Sequence, residues 1–336
     1  MSSIDVIIKS SRRPWALDRL LNSLDTFLVS KNPVKIYCVD DRTDHRFLRE
    51  LMRRYPNVDF STRATWKENN RTLGTLPYVE AWQRAVAQSL AKYVLVLEDD
   101  QWLCEPLNLD DCTHFMSSSG AWSLVLTEDA SRLQSARLFP SPEPNFGFYL
   151  PAILERSVEK PFSSTRFFLD FITSDRFIIQ KAHGLLSTLL PQATGQQWQS
   201  IAQINPMCGA IFLKSHWSHL WGGRIPRINE NIMIGRALRL LRHDLKPKQK
   251  LAIGSKKLFE TTYLSSVSLT LGTDVDWDKF NRAWSNAWLE GGLRSPRRAG
   301  DWDFAVLHGI IQKEHGQVGA EAYEKWCSDF AILHSS

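Results

Sequence analysis

Paired cysteines are missing from this sequence. Its five cysteines, Cys38, Cys104, Cys112, Cys208 and Cys327, show no CxxC spacing and no histidine partner at zinc-finger distance, which argues against a disulfide framework and a structural zinc site. Long apolar runs are missing too. Stretches such as Val94 to Leu97 fall far short of the roughly 20 residues that a membrane-spanning helix needs. The opening MSSIDVIIKSSRRPW lacks the basic-then-apolar order of a secretory signal, so the expected location is cytoplasmic. What remains is a 336-residue chain, 43% hydrophobic, with composition for a large core and nothing fibrous or disordered. Its net charge of +5 permits contact with phosphate groups or an anionic membrane face without calling for nucleic acid.

The first hundred residues alternate strand-like and helix-like segments. IDVIIKS (Ile4 to Ser10) reads as a buried strand; Leu17, Leu20, Leu21, Leu24 and Leu28 then recur at helical spacing, with Pro14 in the first turn. VKIYCVDD (Val34 to Asp41) is a second strand, and Phe47, Leu48, Leu51, Met52 and Tyr55 stripe a second helix that Pro56 stops. A short strand over Val58 to Thr62 precedes a third helix from about Pro77, with Val79, Trp82, Val86 and Leu90 inward, and then the strand YVLVL. This βαβαβαβ order predicts a parallel sheet covered on both faces, with ligands beyond the carboxyl ends of its strands.

Two of those strand ends carry acids: Asp40 and Asp41 after IYCV, and Glu98, Asp99 and Asp100 after YVLVL. Solvation at a turn explains one such acid. Three in a row repel one another unless a cation is shared among them, and hard oxygen ligands suit Mg2+ or Mn2+.

The ordered set DVIIKSSRRPWALDRLLNSL, IYCVDDRT, KENNRTLGTLPYVEAWQRAV and YVLVLEDDQWL resembles the nucleotide-sugar half of GT-A glycosyltransferases, especially the large family 2 and its relatives. The resemblance spans about the first 105 residues. It implies an α/β fold of GT-A type, a Rossmann-like and mainly parallel sheet flanked by helices, followed by a helical C-terminal extension. The implied division is 1–105 for the nucleotide-sugar half, 106–245 for the acceptor and catalytic half of the same domain, and 246–336 for the extension. It also implies donor contacts from the turn Ser10 to Arg13, with Ser10 and Arg12 in it, from Asp40 or Asp41 to base or ribose, and from Asn70. LEDD lies over the family's DxD motif, with Glu98 in the first acid's place and Asp100 in the second's, both as ligands of Mn2+ or Mg2+; Asp99 between them contacts the donor or serves the structure.

In this family the general base is a carboxylate at a helix start within ED-x-x-x-x-x-R, after a strand and a glycine-rich turn. Here GAIFLK, Gly222-Gly223, Glu230 and Arg236 follow that order, with Asn229 in place of the preceding acid. Glu230 is the implied base, or else a cap at the N-terminal dipole of a helix. Trp217 and Trp221 either stack on an acceptor sugar or pack a helix, and His216 and His219 have only weak metal-site spacing. The basic run from Arg236 to Lys250 suits a solvated face or an anionic lipid surface. In GGLRSPRRAGDWDFAVLHG, Arg297 could close over a diphosphate, and His308 could complete the metal shell as a late histidine does in GT-A relatives.

The expected activity is metal-dependent transfer of a sugar from a nucleoside-diphosphate donor to a glycan or lipid-linked acceptor, in polysaccharide or glycoconjugate synthesis, with peripheral membrane contact as an option. A sugar-phosphate nucleotidyltransferase is the alternative, disfavoured because no glycine-rich phosphate loop follows the first strand. A basic nucleic-acid-binding protein is the other; its basic residues would be concentrated rather than dispersed.

Overall fold

The computed structural model describes residues 4–62, 76–127, 136–151, 209–223, 246–261, 276–294 and 302–335, together with Met233, Arg236, Ala237, Leu240, Leu241 and Asp244. Its first half is the expected alternation. Strand β1 (Ile4–Ser10) leads to α1 (Pro14–Phe27) and the short β2 (Leu28–Val29); β3 (Ile36–Asp40) leads to α2 (His45–Arg54); β4 (Val58–Thr62) is followed by α3 (Leu76–Gln88) and β5 (Tyr93–Glu98). Then come β6 (Gln101–Leu103), β7 (Leu107–Asn108), α4 (Leu109–Ser119), β8 (Ser123–Val125), β9 (Ala136–Pro140) and β10 (Phe146–Pro151). The second half adds β11 (Ala210–Leu213), α5 (Lys214–Trp221), β12 (Leu251–Gly254), β13 (Phe259–Thr261), α6 (Trp277–Leu289) and α7 (Phe304–Ser335), the last broken at Gly316, where φ is 68°.

Local chemistry sets the helix ends. Pro14 opens α1 at a position that needs no N–H donor. The Asp44 and Asn108 side chains cap α2 and α4 by accepting from backbone N–H groups two residues on. Gly120 ends α4 at φ 69°, in the left-handed region where a Cβ is penalised.

Besides the pairs β13 with β6 and β2 with β7, nine of the described strands form one sheet in the order β4-β3-β1-β5-β11-β8-β12-β10-β9. Its first four strands are mutually parallel, in the order expected of right-handed crossovers from β1 outward on both sides. Beyond β5 the sheet is mixed: β11 is antiparallel to β5 and β8, β12 is parallel to β8, and β10 is antiparallel to β12 and β9. Strand β12 falls within the segment that the resemblance sets aside as a helical extension, so that segment contributes to the central sheet before it turns helical.

Each sheet face carries its own core. On one side α1, α4, α6 and α7 cover β1 and β5 with Trp15, Leu17, Leu20, Phe115, Trp284 and Trp288; on the other, α3 and α5 bring Trp82, Trp217 and Trp221 onto Ile7, Val94 and Val96. Aromatic edges fasten the C-terminal helices to the first half, with the Trp15 ring 5.4 Å from Trp284 and 5.6 Å from Trp302. Two expected core positions are exposed: Leu90, past the end of α3, and Met52, on the rim of the α2 stripe.

Candidate functional site

Because β1, β3 and β5 run parallel, their carboxyl ends come out on one edge of the sheet. The register places Ser10 beside Asp40, and Lys9 beside both Val39 and Glu98. The loops beyond are interlocked. The Asp41 amide donates to the Ser10 carbonyl (2.8 Å), Ser11 Oγ donates to the Asp41 carbonyl (3.0 Å), and the Arg12 amide donates to Thr43 Oγ1 (3.0 Å). Thr43 in turn donates its hydroxyl to Asp40 Oδ1 (2.6 Å) and its amide to Asp40 Oδ2 (3.1 Å). Arg12 and Arg42 hold positive φ, 54° and 71°, an uncommon conformation for residues with a Cβ that persists where surrounding bonds over-determine it and clusters at functional sites.

The acidic end of β5 is tied into the same network by cations. Lys9 forms an ion pair with Glu98, its neighbour across the strands. Arg13 donates to Asp99 Oδ1 through Nη2 and to Asp100 Oδ2 through Nη1, the latter at 3.2 Å. Asp99, 1% exposed, also accepts from the Ser11 amide (2.9 Å) and Ser10 Oγ (3.2 Å). Burial pulls the Arg13 pKa down, but Asp99, Asp100 and Glu98 outweigh it and hold the guanidinium above its ordinary value. Burial pushes Asp100 up to about 6, against the pull of Arg13 and with the repulsion of Glu98 and Asp99 behind it. Asp40 is likewise raised to about 6 by burial, opposed by its bonds from Thr43.

The expected donor residues Ser10, Arg12, Asp40, Asp41 and Asp99 thus share one edge of the sheet. Asn70, Arg297 and Glu230 lie outside the described residues. The expected metal set is not brought together: Glu98 is engaged by Lys9, Asp100 by Arg13, and His308 stands on α7 with its ring 5.4 Å from Phe304. Among the described residues no three His, Cys, Asp or Glu side chains gather as a metal-binding group. The donor set as arranged therefore does not fit a divalent ion, because a guanidinium already bridges Asp99 and Asp100.

Other expectations resolve as packing. Trp217 and Trp221 are each 1% exposed and lie 5.2 and 5.3 Å from Trp82, so they belong to the core and not to an acceptor surface. His216 is buried against Trp122 at 4.9 Å, and burial, with His219 nearby, lowers its pKa to about 4. Arg236 donates through Nη1 to the carbonyls of Leu220 and Gly222, both at 2.8 Å, and so fastens the end of α5.

Lys9 and the pairing of Arg13, a member of the expected donor turn, with the acids of β5 escaped the residue-by-residue expectation, although the signal was present. KSSRR ends the strand that pairs with the strand ending in EDD, and a parallel register sets basic against acidic. Asp278 on α6 was also unforeseen; it accepts two bonds from Arg12 Nη1, at 2.8 and 2.9 Å, and ties the C-terminal portion to the turn after β1.

No family model and no curated protein matches the sequence. Among solved structures, S. aureus TarS 1-349 in complex with UDP-GlcNAc is 12% identical over 93% of this chain and 71% of its own, with a TM-score of 0.45. Glucosyl-3-phosphoglycerate synthase from Mycobacterium tuberculosis, in complex with Mn2+, UDP-glucose and phosphoglyceric acid, is 11% identical over 86% of this chain and 80% of its own, with a TM-score of 0.39. The bifunctional glycosyltransferase WbbM, in its apo form, is 11% identical over 70% of this chain and 37% of its own, with a TM-score of 0.35.

Proposed function

We propose that the protein is a glycosyltransferase that takes its sugar from a nucleoside-diphosphate donor bound at the carboxyl ends of β1, β3 and β5. The observation that carries this reading is the interlocking of the three strand-end loops, with Ser10, Arg12, Asp40, Asp41 and Asp99 at one edge of the sheet. Open α/β sheets bind ligands at that edge. In this reading the Ser10–Arg13 turn and Asp40 or Asp41 meet the nucleoside, Asn70 adds a donor contact, and the segment around Arg297 closes over the phosphates.

Glu230 is the proposed general base. The acceptor hydroxyl gives its proton to the Glu230 carboxylate as its oxygen bonds to the anomeric carbon, and the bond from that carbon to the diphosphate oxygen breaks, with inversion. A positioned base typically contributes about 10²–10⁴ in rate. A glycan or a lipid-linked sugar is the proposed acceptor, serving polysaccharide or glycoconjugate synthesis. The exposed basic positions Lys246 and Lys248 suit contact with an anionic membrane surface, and no described helix is long and apolar enough to cross a membrane.

The test is transfer measured across a panel of nucleotide sugars. Glu230→Gln should lower transfer by about two orders of magnitude or more while leaving nucleotide affinity nearly unchanged. Retained turnover would remove Glu230 from the chemistry.

A further inference from the structure

We propose that Arg13, supported by Lys9, is the resident cation of this site, and that a nucleoside diphosphate binds here without Mn2+ or Mg2+. The donor half of the statement rests on the transferase reading; the cation half stands on the geometry alone. Arg13 spans Asp99 and Asp100, the two most buried carboxylates of the acidic strand end. Lys9 pairs with the third, Glu98, from the directly opposed position of β1.

A divalent ion bridging Asp99 and Asp100 would meet the guanidinium from which Asp99 Oδ1 and Asp100 Oδ2 already accept and would have to push it aside. The displaced guanidinium has little room to withdraw, because its side chain is 14% exposed and its backbone is fixed as the start of α1, where its carbonyl accepts from the Ala16 and Leu17 amides. Displacement would therefore leave a buried monocation beside a dication, with less negative charge to share between them.

The same arrangement prepares the site for an anion. Glu98, Asp99 and Asp100 set against Lys9 and Arg13 leave one net negative charge when all are ionised. That charge is partly offset by the N-terminal end of the 14-residue α1, whose first residue follows Arg13. Two of the five guanidinium N–H donors of Arg13 hold the carboxylates, which leaves three for phosphate oxygens. The acids then act as positioning residues: they fix the guanidinium plane from behind.

The experiment has two arms on the full chain. In the first, Mn2+ alone is titrated against the wild type, Arg13→Ala and Arg13→Met, read by the electron paramagnetic resonance of free Mn2+. The wild type should show no site at millimolar Mn2+, and the variants, which uncover Asp99 and Asp100, should bind at least tenfold more tightly. A wild-type site lost in Asp100→Asn would overturn the proposal, and this arm needs neither a nucleotide nor a folded Arg13 variant. In the second arm, UDP, GDP, CDP and TDP are titrated by calorimetry with EDTA or with Mn2+. Affinity unchanged within about twofold supports the proposal, and binding that appears only with Mn2+ contradicts it. If no nucleotide binds in either buffer, the transferase reading and the donor half fall, while the Mn2+ arm still decides what cation the acids hold.

Discussion

Lys9 stands directly opposite Glu98 in the parallel pairing of β1 with β5, and their side chains close an ion pair at the carboxyl end of both strands. Side-chain exposures of 19% and 27% place the pair between a solvated bridge and a buried one. A double-mutant cycle with Lys9→Met and Glu98→Gln should therefore give a coupling energy of about 1 kcal/mol, measured by urea unfolding. Strictly additive single effects would show that the two side chains do not depend on each other.

Arg13 carries a larger structural share. Removing it strands Asp99 and Asp100, 1% and 6% exposed, without their cation. Breaking a buried pair in this way costs about 3–5 kcal/mol. Arg13→Ala should lower stability by that order at pH 7, and added Mn2+ should restore part of it. A variant as stable as the wild type, with no Mn2+ effect, would mean that the acids are solvated after all.

Asp40 predicts a pH dependence. Its carboxyl is raised from the ordinary 3.8 to about 6 by burial, against its bonds from Thr43 and Ser10 and with Asp41 adding repulsion. Between those values the folded chain binds more protons than the unfolded one, so this group makes stability fall as pH rises through that window and stay lower above it. Asp40→Asn removes the effect. The wild type should lose on the order of 1–3 kcal/mol relative to the variant between pH 4 and pH 7, read from urea midpoints at both pH values. Parallel stability curves would place the Asp40 pKa near its unfolded value.

Arg12 separates stability from binding. Its pair with Asp278 is exposed, with side chains 40% and 70% accessible, and such pairs are worth about 0–1 kcal/mol. Arg12→Ala should leave the thermal midpoint nearly unchanged yet weaken nucleoside-diphosphate binding roughly tenfold, the value of one charge-assisted hydrogen bond. Full affinity in the variant would take Arg12 out of the donor site.

Trp217 is predicted to matter only for packing. Wedged against Trp82 at 5.2 Å, it should cost about 3–5 kcal/mol when cut to alanine. Donor affinity of the fraction that remains folded should be unaltered, and a selective loss of acceptor binding in a stable variant would restore the sugar-stacking role.

The parallel half of the fold was legible because its signals are local. Helical leucine spacing from Leu17, Pro14 at a helix start and unbroken apolar runs in β1 and β5 each act within a few residues. The mixed half was not legible, since pairings such as β8 with β12 join Ser123 to Leu251 across more than a third of the chain, and short strands of three or four residues carry little periodicity. At the site, the acids at the ends of β3 and β5 were visible as anomalies of charge. What they hold was not, because the partner of Asp99 lies 86 positions away and only the register of β1 on β5 sets KSSRR against EDD. The tryptophans could be read as packing or as sugar-stacking for a related reason: sequence gives the ring but not the second ring that buries it.

On this reading the sheet edge at β1, β3 and β5 binds a nucleoside diphosphate. That binding is tested most directly by thermal unfolding of the full chain with UDP, GDP, CDP or TDP, each with EDTA and with Mn2+, for the wild type and for Asp40→Ala. At least one nucleotide should raise the wild-type midpoint in EDTA, and the rise should disappear in Asp40→Ala. No shift with any nucleotide in either buffer, or a shift that Asp40→Ala leaves intact, would contradict this reading.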